Sequence, residues 1–521
     1  MTQLLRSPWF IMLAFCAQPV LNFMNHNAID PNFSVVRSGL YLALLFAISV
    51  VALLAVRSIF RLTGAEWIAL AIGFAVFVTL NGYLIDSFIF TNMEAFLGVQ
   101  PRIRHVLMVY VGLIVACVFL ARVVGRSGVL LTAIVVAVGA MAVTDGVLLA
   151  WNLTEIARGQ ETAATAPPAA PSPAKVQRSA ADGPRRNVYY LLPDMMVGAD
   201  MFQRFDLDDG IFQSLRQQGY TVVDNALSNA PVTDFSTPHL FGMRYYLHDG
   251  ETITPRRQVA INRIRGENNA VYREFRERGY KIFAVSDGYV PGCRGGEDRC
   301  IAKPADSAYA PRLQDFRFIQ RTPFMKALDV ADSEANLFDP PLNLWPYTTR
   351  MEMPELMRRL PDPSEGPFLF FFHVSLPHDP QRFDENCAYR RFGSWTKGYS
   401  QQARCALKEI SGFAATIQKR DPSAIVVIQS DHGTMTMDQS TTRLEYLTDL
   451  QARENVSIFS AFRLPETCRG WLRPGLTPVN TFRLVFACLD GREPDLLDDR
   501  VFLVYYPFWV VGGKVREWIP R

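Results

Sequence analysis

The apolar residues of this chain follow two patterns, long unbroken runs at the beginning and short runs set between polar segments afterwards. Five long runs are candidates for membrane crossing: roughly Trp9 to Met24, Gly39 to Val56, Trp67 to Ile85, Val106 to Ala121 and Gly128 to Trp151. Gln18, Pro19 and Asn22 interrupt the first, but no small-residue cleavage site follows it, so an uncleaved first helix is predicted. Asp145, near the end of the fifth run, is expected at a helix end on the surface.

The stretch from Gly159 to Pro184 is rich in Ala and Pro without apolar periodicity and predicts an extended linker. Beyond it, five short runs have the composition of largely buried strands: NVYYLLPD (Asn187 to Asp194), YTVVDNA (Tyr220 to Ala226), KIFAVSDG (Lys281 to Gly288), FLFFFHVSL (Phe368 to Leu376) and AIVVIQSDHG (Ala424 to Gly433). IFQSLRQQGY and VYREFRERGY read as helices that end at Gly and feed the next strand. Strands alternating with helices imply an α/β fold with a mainly parallel sheet between helices. The expected organisation is a transmembrane helical domain over 1–155, a linker over 156–185 and an α/β domain over 186–521.

Composition adds a compartment. Of the formal net charge of +3, residues 1–155 carry eight Arg, no Lys and six acids, which is 8 − 6 = +2 and leaves +1 for the rest. No basic patch points to nucleic acid. Arg6, Arg57, Arg61, Arg122 and Arg126 lie at one set of span ends, against Arg37, Arg102 and Arg104 at the other, which places the N-terminus in the cytoplasm and the α/β domain outside. Cys16 and Cys117 fall in apolar runs and read as inert thiols. Cys293, Cys300, Cys387, Cys405, Cys468 and Cys488 form an even set in the α/β part, and the sequential pairing 293 with 300, 387 with 405 and 468 with 488 is the simplest expectation. A zinc cluster is disfavoured because no C-x-x-C pair is present.

The candidate chemistry sits at strand ends, where ligands of such folds gather. Asp194 closes the first strand, Asp431 and His432 the last, and His373 and His378 bracket the end of the Phe-rich strand in HVSLPHDP. Singly, each reads more readily as a turn or cap residue. Together they supply carboxylate and imidazole donors suited to Zn²⁺ or Mn²⁺. A hydroxyl nucleophile is available in Thr233-x-x-Ser236-x-Pro238, which looks like a loop entering a helix, with an ordinary ST-rich cap as the equal alternative.

NVYYLLPD, the Thr-x-x-Ser-x-Pro segment, PHDP and SDHG, in this order, resemble the alkaline phosphatase superfamily and its sulfatase-like branch. With five spans ahead of them, they resemble the membrane-anchored lipid A phosphoethanolamine transferases of Gram-negative bacteria. TPVNTFRLVFACL (Thr477 to Leu489) is similar to a segment of sulfatase-like membrane proteins. The resemblance implies that Asp194, Thr233, Asp431 and His432 bind one divalent metal, Zn²⁺ with Mn²⁺, Mg²⁺ or Ca²⁺ as alternatives. Thr233 would also be the nucleophile, and His378 would contact substrate or protonate the leaving group; His373 is a weaker candidate of that kind, or a core residue.

The implied function is a metal-dependent phosphoethanolamine- or phosphoglycerol-type transferase in a bacterial inner membrane, with its catalytic domain in the periplasm. It would use a phospholipid donor such as phosphatidylethanolamine or phosphatidylglycerol and an envelope lipid or glycan acceptor. Two features depart from the resemblance: TMTMDQS follows the Asp-His-Gly where phosphoethanolamine transferases have Glu, and Thr233 cannot become the formylglycine of sulfatases. A sulfuric ester hydrolase or phosphodiesterase of the same superfamily, and an inactive envelope protein, are the alternatives.

Overall fold

The computed structural model describes residues 2–28, 34–62, 64–81, 103–165, 185–266, 269–285, 298–301, 318, 319, 322, 353–379, 381–390, 392, 394–434, 444, 447–504 and 513–520. The chain divides into two compact units, one of Met1–Arg158 with Tyr309–Leu344 and one of Gly159–Ala308 with Trp345–Arg521.

In the first unit, helices stand at all five apolar runs: Pro8–Asn27, Val35–Phe60, Ala65–Leu80, Ile103–Val124 and Gly128–Thr165. Val35–Phe60 and the Gly128–Thr154 part of the last are long and apolar enough to cross a membrane, whereas Ala65–Leu80 and Met108–Val124 are shorter apolar helices. The last helix runs through residues expected to be linker and ends at Thr165. Glu161, Ala163 and Ala164 are good helix formers, and the helix stops before Pro167 and Pro168, which lack N–H donors.

Asp145 corrects the expectation of a surface residue. It lies inside that helix, 9% exposed, and accepts hydrogen bonds from Gln18 Nε2 at 3.0 Å and Asn22 Nδ2 at 3.5 Å on the first helix. A carboxylate in apolar surroundings is held where amide donors meet it.

The second unit contains β1 (Val188–Asp194), β2 (Thr221–Val222), β3 (Thr252–Ile253), β4 (Lys281–Val285), β5 (Arg299–Ile301), β6 (Phe368–Pro377), β7 (Ile425–Gln429), β8 (Ser460–Arg463), β9 (Val501–Val504) and β10 (Gly513–Trp518). Seven of them form one sheet in the order β2-β8-β7-β1-β6-β4-β5, and β3-β10-β9 form a second, smaller sheet. The five strands β7-β1-β6-β4-β5 run parallel; β8 is antiparallel to β7, and β2, at the edge, is antiparallel to β8. The run Tyr220 to Ala226 is thus a strand only over Thr221–Val222, and Ser286 to Gly288 of the next run lie outside the described residues.

Every residue of β1 is buried, as a central parallel strand covered on both faces must be. The faces separate by parity. Tyr189, Leu191, Phe370, Phe372, Val426 and Ile428 pack toward the helices Gly210–Gln217 and Trp395–Arg420. Val188, Tyr190, Leu192, Leu369, Phe371, Ile425 and Val427 pack toward Thr233–Gly242, Ala270–Glu277 and Thr481–Asp490. Two disulfides are formed, Cys387–Cys405 and Cys468–Cys488. Cys293 lies outside the described residues, and so does its expected pairing with Cys300.

Candidate functional site

Three neighbouring parallel strands, β7, β1 and β6, bring the polar groups together: Asp194 ends β1, Asp431 and His432 follow β7, and His373 lies within β6. Parity decides which way those groups face. Asp194 continues the alternation of Tyr190 and Leu192, and Asp431 that of Ile425 and Val427, so both are on the sheet face covered by the helix Thr233–Gly242. His373, paired with Leu192 in the register of β1 and β6, continues Leu369 and Phe371 onto the same face. That helix begins at Thr233 itself, after Val232 in extended conformation.

The result is a compact buried cluster in which Thr233, Asp194, His373, Asp431 and His432 are each at most 5% exposed. Thr233 Oγ1 donates to Asp431 Oδ2 at 2.6 Å and lies 3.3 Å from His432 Nε2. His432 Nε2 is 3.3 Å from Asp194 Oδ1 and 3.6 Å from Asp431 Oδ2, and His373 Nε2 is 3.2 Å from Asp194 Oδ2. The ring of His432 is oriented by Nδ1, which donates to the Gly433 carbonyl at 2.7 Å and so directs Nε2 into the cluster. Met195 N and His432 N both donate to Asp431 Oδ1, at 3.4 and 2.9 Å.

Charge in this volume is strongly biased. Burial alone would raise the Asp194 pKa, but the His378 charge and hydrogen bonds from His373 and His432 hold it well below the usual carboxylate range. Burial and the neighbouring Asp194 charge raise that of Asp431. His432 is pushed up to about 9: burial opposes its charge, and the carboxylates of Asp431 and Asp194 outweigh burial.

These residues fit a divalent cation. Asp194, Asp431 and His373 each offer a donor atom within 4.8 Å of the others. Asp194 Oδ1 is buried without a well-aligned hydrogen bond, as a metal-facing carboxylate oxygen would be. Carboxylate and imidazole donors beside a hydroxyl are the ligand chemistry of Zn²⁺ and Mn²⁺.

His378 is half-buried on the segment after β6. Its Nδ1 donates to Asp379 O at 2.7 Å, and its ring lies 6.5 Å from that of His432. His373, which the sequence left between a substrate contact and a core residue, is instead against Asp194. The signal that places it was present: it has the parity of Leu369 and Phe371. Gly433 is required by packing, because a Cβ there would overlap the carbonyl of Glu454.

No protein-family model matches the chain, and no curated protein matches it. Similar solved structures do occur. Lipooligosaccharide phosphoethanolamine transferase A of Neisseria meningitidis, an integral membrane protein, aligns over 93% of this chain and 95% of its own, with 13% identity and a TM-score of 0.40. The C-terminal periplasmic domain of EcEptC from Escherichia coli aligns over 64% and 92%, at 10% identity and 0.38. Ps i-CgsB does so over 62% and 80%, at 12% identity and 0.39. Phosphoethanolamine transferases are the kind of protein that the motifs resemble.

Proposed function

We propose that this chain is a membrane-anchored, metal-dependent phospho-group transferase of the alkaline phosphatase superfamily, acting through Thr233. The observation that carries this reading is the placement of the Thr233 hydroxyl at a helix start, 2.6 Å from Asp431 Oδ2 and 3.3 Å from His432 Nε2, among donors from three strand ends. A hydroxyl whose role was only to cap the helix would have no reason to face a carboxylate and an imidazole.

Asp194, Thr233, Asp431 and His432 would hold the cation, with His373 either a further ligand or the group that orients Asp194. The ion would polarise the phosphoryl oxygens and make the Thr233 hydroxyl more acidic. Thr233 Oγ1 attacks phosphorus in line, forming the Oγ1–P bond as the bond to the leaving oxygen breaks. Its proton passes to Asp431 Oδ2, the carboxylate oxygen that the hydroxyl already meets. His378 Nε2, which the Asp379 contact leaves free, protonates the leaving oxygen. An acceptor hydroxyl then takes the phosphoryl group from phosphothreonine and restores Thr233.

The membrane-embedded half brings the site close to a phospholipid donor and raises its effective concentration. Donor and acceptor are an envelope phospholipid and an envelope lipid or glycan, with the catalytic half on the periplasmic face of a bacterial inner membrane.

The test is covalent. After incubation with phosphatidylethanolamine and no acceptor, the peptide containing Thr233 is expected to gain the mass of a phosphoethanolamine group, because a single displacement at the diester phosphorus releases diacylglycerol and keeps the ethanolamine ester. Thr233→Ala abolishes the adduct and lowers turnover by several orders of magnitude, and Thr233→Ser keeps part of both. Wild-type turnover in Thr233→Ala would eliminate the mechanism; an adduct elsewhere would move the nucleophile.

A further inference from the structure

The helix Trp395–Arg420 carries no residue of the proposed machinery, yet one of its stripes touches both segments that do. Trp395, Tyr399 and Gln402 are spaced by four and three residues and share a helix face. Tyr399 is fully buried. Its hydroxyl donates to Met195 O at 2.8 Å and accepts from Val197 N at 3.3 Å. Those atoms belong to the turn immediately after Asp194, where Met195 takes a left-handed φ of 65° that a non-glycine residue adopts only when its surroundings impose it.

Gln402, equally buried, binds the segment that carries His378. Its Oε1 accepts from Arg382 N at 2.6 Å and Phe383 N at 3.1 Å, and its Nε2 donates to His378 O at 2.8 Å. Trp395 stacks on Tyr399 at 5.3 Å and donates from Nε1 to Asp379 Oδ1 at 2.9 Å. The segment lies so close to the helix that a Cβ on Gly398 would come within 2.9 Å of Gln381 Cβ. Cys387–Cys405 ties the far end of the segment to the same helix, three residues beyond Gln402.

We propose that Tyr399 and Gln402 are positioning residues that set Asp194 and His378 in relation to each other from one rigid helix. This rests on the reading of Asp194 as a metal ligand and His378 as a substrate-facing group. Tyr399 acts on the carboxylate through the backbone of Met195 and Val197, and Gln402 acts on the imidazole through the backbone of His378, Arg382 and Phe383. A helix stripe suits this task because its side chains keep fixed spacing while the two segments it holds are irregular.

The experiment uses the full chain purified in detergent, stripped of metal and titrated with Zn²⁺ against a chelating dye, with carbethoxylation of His378 by diethylpyrocarbonate followed by peptide mass spectrometry. Tyr399→Phe is expected to weaken Zn²⁺ binding by about tenfold, leaving the rate of His378 modification unchanged. Gln402→Leu is expected to change that rate severalfold with Zn²⁺ affinity held within about twofold, a crossed pattern that general loosening would not produce. Equal changes of both readouts in both variants, or none in either, would overturn the proposal. If Asp194→Ala binds Zn²⁺ as tightly as wild type, the metal reading itself fails. If Asp194→Ala loses Zn²⁺ while Tyr399→Phe does not, only the positioning role fails.

Discussion

His239 lies on the helix that begins at Thr233 and is completely buried. Its Nδ1 accepts from Tyr246 N at 3.2 Å, and its ring packs against Phe502. Burial lowers its pKa to about 4, against 6.5 for the free side chain. Between these values the unfolded chain binds the proton and the folded chain does not. The stability from keeping this ring neutral is therefore fully present above pH 6.5 and is lost as pH falls toward 4, by about 3 kcal/mol in all. His239→Gln cannot titrate, so its unfolding free energy should fall less than that of wild type from pH 7 to 4, by about that amount. Parallel curves for the two proteins would show that His239 is protonated in the fold. At the same scale, Gly433 is fixed by its neighbours in space. It is required because Glu454 and Ser457 present their carbonyls where a side chain would go, a fact of tertiary approach that no local sequence carries.

Among elements, the helices Pro8–Asn27 and Gly128–Thr165 are joined by a polar seam. Gln18 meets Asp145, and Asn25 meets Asn152 with an Asn152 Nδ2 to Asn25 Oδ1 bond of 2.7 Å. Each pair is separated by 127 positions, so the contacts advance together and the two helices run parallel. Parallel first and fifth helices are what alternating crossings require. In a background of Cys16→Ser and Cys117→Ser, Asn25→Cys with Asn152→Cys should cross-link in native membranes, and Gln18→Cys with Asn152→Cys should not. The reverse result would make the helices antiparallel and break the five-crossing topology. Among the described residues two helices are both long and apolar enough for a span, so whether the others cross rests on measurement.

For the whole molecule, the proposed function requires the α/β half to be outside the cytoplasm. The disulfides Cys387–Cys405 and Cys468–Cys488 fit an oxidising compartment. In intact cells these four thiols should resist maleimide until a reductant is added, and a reporter fused after residue 185 should behave as periplasmic. Free alkylation of all four would place this half in the cytoplasm and remove access to envelope acceptors. The sequence by itself determined the helices at the apolar runs and the parallel core strands, because periodicity is a local property; Asp194, Thr233, Asp431 and His432 were grouped by the resemblance of their motifs to a known superfamily, and the cysteines by the simplest sequential pairing. Three things were decided only by the tertiary structure. His373 reached Asp194 because β6 pairs with β1 in a register that puts it opposite Leu192. Asp145 was buried because the first helix brings amides to it. Tyr399 and Gln402 acquired their partners because the helix Trp395–Arg420 packs across segments about 200 and 20 residues away. In each case the partner is distant in sequence, and a contact between distant residues is set by packing and register, which no local pattern encodes.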